Sequence, residues 1–267
     1  WGVGLVVALV LVVTSLQRGG LLTLSILDVA QGTGVTITTL VVLYFLYIFL
    51  FGRLSPEERR RVAVIPVLFV AAAVFWSGFE QAGSSMNLFA DRLTDRVVFG
   101  MEVPTTWLQS VNPLFIILLA PVFGSLWVRL GSKNPSISAK FTYGLLMLGL
   151  GFLVLAWGAT FATDGGRVSP MWLIVTYFFH TTGELCLSPV GLSSITKLSP
   201  KRLVGQMMGI WFMAAALGNL LAGLVAGLVE SLALPQLFGA VGLIVLGGGV
   251  VMLLASGPVR RLAGDVR

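Results

Sequence analysis

Apolar runs of about 20 residues, the length a helix needs to cross a roughly 30 Å hydrocarbon core, follow one another along most of this chain. Few folds tolerate that pattern. Backbone exposed to lipid must satisfy its own hydrogen bonds, which restricts spanning segments to helices or closed barrels, and the alternation of a barrel is absent. Composition agrees: 57% of the 267 residues are hydrophobic and 10% are charged, with a mean hydropathy of +0.96. The expectation is an all-α membrane protein with eight spans, near residues 2–16, 33–52, 62–90, 104–130, 138–162, 168–197, 203–229 and 235–257. The first run is short, with no basic segment before it and no small-residue cleavage site after it, which argues against a secretory signal. Because the chain begins at Trp1 and not Met, it is expected to be a piece of a longer product.

Sidedness follows from the basic residues. One side of the eight-span arrangement collects Arg53, Arg59, Arg60, Arg61, Arg129, Lys133, Lys140, Lys197, Lys201, Arg202, Arg260, Arg261 and Arg267. The other holds Arg18, Arg92, Arg96 and Arg167. The expected orientation puts both ends of the chain in the cytoplasm. The net charge of +6 is then an inside bias, and no nucleic-acid partner is needed to explain it. A solvated basic rim and an anionic-lipid contact read alike in sequence.

Of the eleven acids, Glu57, Glu58 and Asp265 accompany the cytoplasmic bases, and Asp28, Asp91, Asp95, Glu102, Asp164 and Glu230 fall on the other side. Glu80 and Glu184 remain, each inside a span. An ionised side chain at the centre of a spanning helix costs about 2.5–3.5 kcal/mol on insertion scales, so such groups face a cavity or a partner. The plainer alternative is a hydrogen bond between packed helices, or a position nearer the interface. Trp76, Glu80, Ser84 and Asn87 share one helical face, a polar stripe where lipid contact calls for Leu, Val or Phe. Tyr177, His180, Thr181, Glu184 and Ser188 lie on adjacent rows of another span, which Pro189 and Gly191 are expected to disturb. Gln109 and Asn112 share a face, and Pro113 and Pro121 are expected to loosen the helix. Gly205 and Gly209 form a GxxxG pair expected to pack closely, and the glycines of "GLIVLGGGVV" are expected to aid helix contact. Trp211, inside a span, is either core filling or the aromatic wall of a cavity. His180 is the sole histidine, and a lone buried histidine is more often a packing residue than a titrating one.

Enzyme classes find no support. The chain has no GxSxG elbow, no phosphate-binding loop and no ligand cluster for a metal. Its single cysteine, Cys186, excludes an intrachain disulfide.

"FWSGFEQAGSSMNLFADR" (75–92), "WLQSVNPLFIILLAPVFG" (107–124), "GELCLSPVGLSSITKLSP" (183–200) and "MMGIWF" (207–212) occur in the order expected for one family. The chain resembles the proton-dependent oligopeptide transporters, the POT or PTR branch of the major facilitator superfamily, at their seventh, eighth, tenth and eleventh helices. "LSPEERRRVAVI" (54–65) is similar to the cytoplasmic entry to the seventh helix in bacterial members. The resemblance implies a six-helix C-terminal bundle at 62–267, a cytoplasmic linker at 53–61, and an inserted two-helix transmembrane hairpin at 1–52. It also implies that the N-terminal six-helix bundle, with the family's ExxER motif and the basic residue of its fourth helix, is missing from this chain.

By the same resemblance, Glu80 is the proton-coupling acid and partners an arginine of ExxER. Glu184 pairs with the free amino group of a small peptide, Asn112 and Ser188 orient the peptide backbone, and Trp76 and Trp211 line side-chain pockets. The implied function is proton-coupled symport of di- and tripeptides across the cytoplasmic membrane, with no cofactor beyond the proton as coupling ion. The implied partners are a small peptide, the lipid bilayer and the missing bundle. A non-transporting peptide- or partner-binding module, or a family member with another substrate, remains the alternative, and six upstream spans with ExxER would discriminate.

Overall fold

Ser25 and Asp28 begin the first described helix by capping one another: the Ser25 hydroxyl accepts from the Asp28 amide at 3.0 Å, and the Asp28 carboxylate accepts from the Ser25 amide at 2.8 Å. This capping box satisfies amides that a helix start leaves orphaned. It sets α1 at Ile26–Phe51, seven residues ahead of the expected 33. The computed structural model describes residues 4, 15, 19, 25–162, 166–264 and 266. The expected first span, 2–16, lies outside the described residues at all but two of its positions.

A second capping box, between Ser55 and Glu58, starts the short α2 (Pro56–Val62), with Pro56 at the first helical position. The chain continues into α3 (Val64–Phe79), a 3₁₀ turn at 80–83 and α4 (Ser85–Arg92). An antiparallel pair of two-residue strands, β1 (Val97–Val98) and β2 (Met101–Glu102), leads to α5 (Thr105–Gln109) and α6 (Val111–Leu130). Four long helices follow: α7 (Ile137–Ala159), α8 (Met171–Leu198), α9 (Val204–Ala226) and α10 (Leu234–Leu254). The short α11 (Ser256–Ala263) closes the described chain.

Among the described residues, six stretches are long and apolar enough to cross a membrane: Ile26–Phe51, Pro56–Arg92, Thr105–Lys133, Ile137–Ala159, Lys201–Glu230 and Leu234–Leu254. The 28-residue α8 is long enough but falls outside that set, because His180, Glu184 and its run of hydroxyl residues lower its hydropathy. The most polar of the long helices is thus the one expected to carry Glu184.

α7 is the centre of the bundle, packing most extensively on α10 and α8, while α3 pairs with α9. Lipid offers no hydrophobic drive between helices, so close packing and small residues hold such a bundle together. A Cβ on Gly149 of α7 would meet Leu246 at 2.6 Å and the Gly242 carbonyl of α10 at 3.0 Å. One on Gly183 of α8 would meet the Gly144 carbonyl at 2.6 Å. Phe75, Phe89, Phe141, Phe152 and Phe238 fill the interior with almost no exposure.

The glycine run of α10 does aid contact, with Gly249 against Leu145 and Leu146 and Gly248 against Val74. Among the described residues the expected GxxxG contact does not form. Nothing lies within 4 Å of where a Cβ would stand on Gly205 or Gly209, because α9 meets α3 through Gly218 instead. α6 buries none of its residues within this chain, and α1 is held chiefly along α9, where the Tyr44 hydroxyl donates to Gln206 at 2.7 Å.

On the loop side, Arg96 bonds Asp91 at 3.3 Å and Glu102 at 2.9 Å, and Arg167 reaches Glu102 at 3.4 Å. The backbone of Val168 pairs with Leu93 and Asp95, tying the end of α4 to the entrance of α8.

Candidate functional site

α3 stops at the acid that interrupts its apolar sequence. Glu80 is the C-terminal cap, the next three residues turn as a 3₁₀ helix, and Ser84 (φ −127°, ψ −97°) is not helical. The continuous stripe expected from Trp76 through Asn87 is therefore broken at Ser84, since helical spacing no longer relates the two halves. The Glu80 side chain is exposed on this chain.

The break is held by a residue that the sequence reading passed over. Gln81 is fully buried; its Nε2 donates to the carbonyls of Ser77 and, on α9, Ala222, both at 3.2 Å. Its Oε1 accepts from Ser85 at 2.7 Å and from Ser84 at 3.3 Å. Every polar atom of the amide is thereby used, and a buried amide left unpaired would cost about 1–3 kcal/mol. A glutamine beside a glutamate in an apolar run was the available signal.

Glu184 stands on α8, half-buried, and its Oε2 accepts from the Asn112 Nδ2 at 3.3 Å. The same nitrogen donates to the hydroxyl of Thr181, one turn earlier, at 2.9 Å. Asn112 sits in the first turn of α6, so α6 and α8 meet through this amide. Ser188 lies one turn beyond Glu184, half-buried. α8 runs unbroken through Pro189, which was expected to disturb it, although the Leu185 carbonyl forgoes its helical donor there.

The aromatic residues divide. Trp76, half-buried, stands edge-on to Phe75 and Phe79 at centroid distances of 5.6 and 5.4 Å. Its Nε1 is enclosed with no hydrogen-bond partner, as is Asn87 Oδ1. Trp211 is only 3% exposed and lies over Gly191, its ring edge-on to Phe141 at 6.3 Å. Of the two readings left open, core filling is the one this packing supports; no face of the indole is left to line a pocket. His180 is 1% exposed between Phe152 and Phe79, at 4.6 and 6.4 Å, which fits the packing role.

Asn112 and Glu184 are thus joined across α6 and α8, with Ser188 one turn beyond Glu184. Glu80 stands exposed at the end of α3, which α9 braces through the bond from Gln81 to Ala222. No group of three or more metal-ligating side chains occurs among the described residues.

A bundle of long apolar helices of this kind belongs to the class of multi-pass membrane proteins. Residues 21–244 match the POT family, and this chain is a member of it. It is 42% identical over 269 residues to a peptide transporter of Yersinia enterocolitica, YePEPT, covering 98% of this chain and 53% of that protein. It is 31% identical over 230 residues to a di-/tripeptide transporter of Lactococcus lactis subsp. cremoris, covering 85% and 46% respectively. The chain spans about half the length of the curated relatives it matches. Among solved structures, a peptide transporter POT in complex with sulfate superposes with a TM-score of 0.85 at 37% identity, covering 98% of this chain and 52% of that one. A POT family transporter in complex with a thioalcohol conjugated peptide gives 0.86 at 30% identity, covering 96% and 53%. The architecture is accordingly a six-helix bundle of major facilitator type, with α1 outside it.

Proposed function

We propose that this chain is the C-terminal half of a proton-coupled symporter of di- and tripeptides. One observation carries the reading: inside an apolar bundle the Glu184 carboxylate is held by Asn112 while Glu80 stands exposed at the end of α3, so one acid is set to hold a ligand and the other is free to exchange a proton. The relatives' names, peptide and di-/tripeptide transporter, support the substrate class. In this reading 62–267 is the bundle and 53–61 a linker, and α1 is the second helix of the hairpin expected at 1–52, whose first helix falls almost wholly outside the described residues.

In this mechanism Glu184 binds the peptide's ammonium group, and Asn112 keeps the carboxylate in one rotamer while Ser188 and the Trp76 indole meet the peptide. A second six-helix bundle closes over these residues, and the site between the two bundles is exposed alternately to either side as they rock. Glu80 binds a proton when its surroundings are dry and releases it when an arginine of that bundle approaches. The membrane is the bacterial inner membrane, with both ends of the chain cytoplasmic, and no cofactor other than the proton takes part. Trp211 supports the site through Gly191 and does not touch peptide.

The test is dipeptide uptake by the complete protein in liposomes, with and without an inward proton gradient. Wild type concentrates peptide only with the gradient. Glu80→Gln loses concentrative uptake but keeps peptide exchange; concentrative uptake by this variant refutes the role. Binding without transport under every gradient would favour a peptide-binding module.

A further inference from the structure

Where the chain enters α3, the short α2 packs beside α11, and two cavities open side by side. The larger, about 440 Å³, is floored by Leu54, Pro56, Ala63 and Leu262 with Arg59 and Arg60 at its rim. The smaller, about 190 Å³, is mostly polar, lined by Glu57, Arg60, Arg61 and Arg261 together with Leu262 and Gly264. Arg60 and Leu262 belong to both, forming the partition. An apolar chamber therefore adjoins a cationic one.

The charges do not cancel. Glu57 is taken by Arg61 at 2.7 Å, and Glu58, the other acid of α2, by Arg202 at 3.0 Å. Arg59 spends part of its guanidinium on the Phe49 carbonyl. Among the described residues, Arg59, Arg60 and Arg261 have no carboxylate partner. A generic solvated rim needs no apolar chamber behind its arginines, whereas an amphipathic ligand needs both. Guanidinium groups match a phosphodiester in charge and in paired donor geometry. Basic pockets between helix ends, at the level of a membrane surface, bind anionic lipid headgroups.

We propose that this double cavity is a binding site for an anionic phospholipid of the adjoining leaflet. The phosphodiester sits against Arg60 and Arg261, and the glycerol and first methylenes rest on Leu262, Pro56 and Ala63. The lipid thereby bridges α2 and α11, the segments flanking the bundle. Nothing in this depends on the peptide site.

Native mass spectrometry of the complete protein, titrated with phosphatidylglycerol or phosphatidylcholine, tests it. The expected result is preferential retention of phosphatidylglycerol, falling at least fivefold in Arg60→Gln/Arg261→Gln. Arg129→Gln/Lys133→Gln, which removes two charges elsewhere on the same rim, should change retention less than twofold. Leu262→Trp fills the apolar chamber with every charge intact and should also lower retention, and detergent melting curves confirm that each variant is folded. Equal losses in the two double variants, equal retention of the two lipids, or complete displacement by millimolar inorganic phosphate would overturn the assignment.

Discussion

Replacing Gly218 by alanine separates the two helices behind the candidate site. A Cβ added there would stand 2.4 Å from the Trp76 Cβ, 2.9 Å from the Ala73 carbonyl oxygen and 3.0 Å from the Ser77 amide nitrogen. Two of those atoms are backbone and the third is bonded to it, so no rotamer change relieves the clash. Restoring an ordinary carbon contact of about 3.5–4.0 Å requires α9 and α3 to part by roughly 1 Å or more. Overpacking of this kind costs about 1–3 kcal/mol, and the upper half of that range applies because the obstruction is main chain. For a domain of this size the unfolding midpoint then falls by roughly 4–12 °C. Gly205→Ala, on the same helix where nothing lies within 4 Å, is the matched control; it should be neutral or stabilising by about 0.5–1 kcal/mol through helix propensity. The assay is thermal unfolding of the purified protein in one detergent, followed by dipeptide binding. Equal midpoints for the two variants, or a lower one for Gly205→Ala, would refute the packing argument.

Gly191→Ala drives a Cβ to 2.1 Å from the Trp211 ring and should cost about 1–3 kcal/mol; Trp211→Phe in the same chain should restore part of the loss, and a double variant no better than the single one counts against that contact. Gln81→Met removes four hydrogen bonds and deprives the buried Ser85 hydroxyl of its acceptor, lowering stability by about 1–3 kcal/mol in the same melts. Asn112→Ala deprives Glu184 of its donor; a hydrogen bond to a charged group contributes about 1.5–3 kcal/mol, so calorimetric dipeptide affinity should fall by about tenfold or more. Unchanged affinity would remove Asn112 from the site.

Much of the fold is legible because lipid leaves so few options: run length alone locates the spans that become α6 to α10, and counting acids isolates Glu80 and Glu184. What fails is whatever depends on a neighbour. Helical spacing treats 75–92 as one cylinder, yet Gln81 finds acceptors on α9 and donors in Ser84 and Ser85, and the helix breaks where they are. Gly205 and Gly209 have the spacing of a packing motif, but spacing says nothing about which face meets another helix, and here Gly218 does. Trp211 was undecidable for the same reason, since its surroundings come from α7 and α8. The early start of α1 was readable in principle, as Ser25 and Asp28 stand three apart. The Asn112 to Glu184 bond joins residues 72 positions apart, and no local pattern contains it.

The knot of charge around Arg96 couples parts of the molecule that sequence keeps far apart. Asp91 ends α4, Glu102 belongs to the strand pair, and Arg167 precedes α8, so the outer cap of the broken span is buckled to the helix bearing Glu184. Because the span is jointed just beyond Glu80, a tilt of α8 carries that cap with it and flexes the joint. On the roles proposed for Glu184 and Glu80, motion of the helix bearing the first would be delivered, as torque, to the residue next to the second.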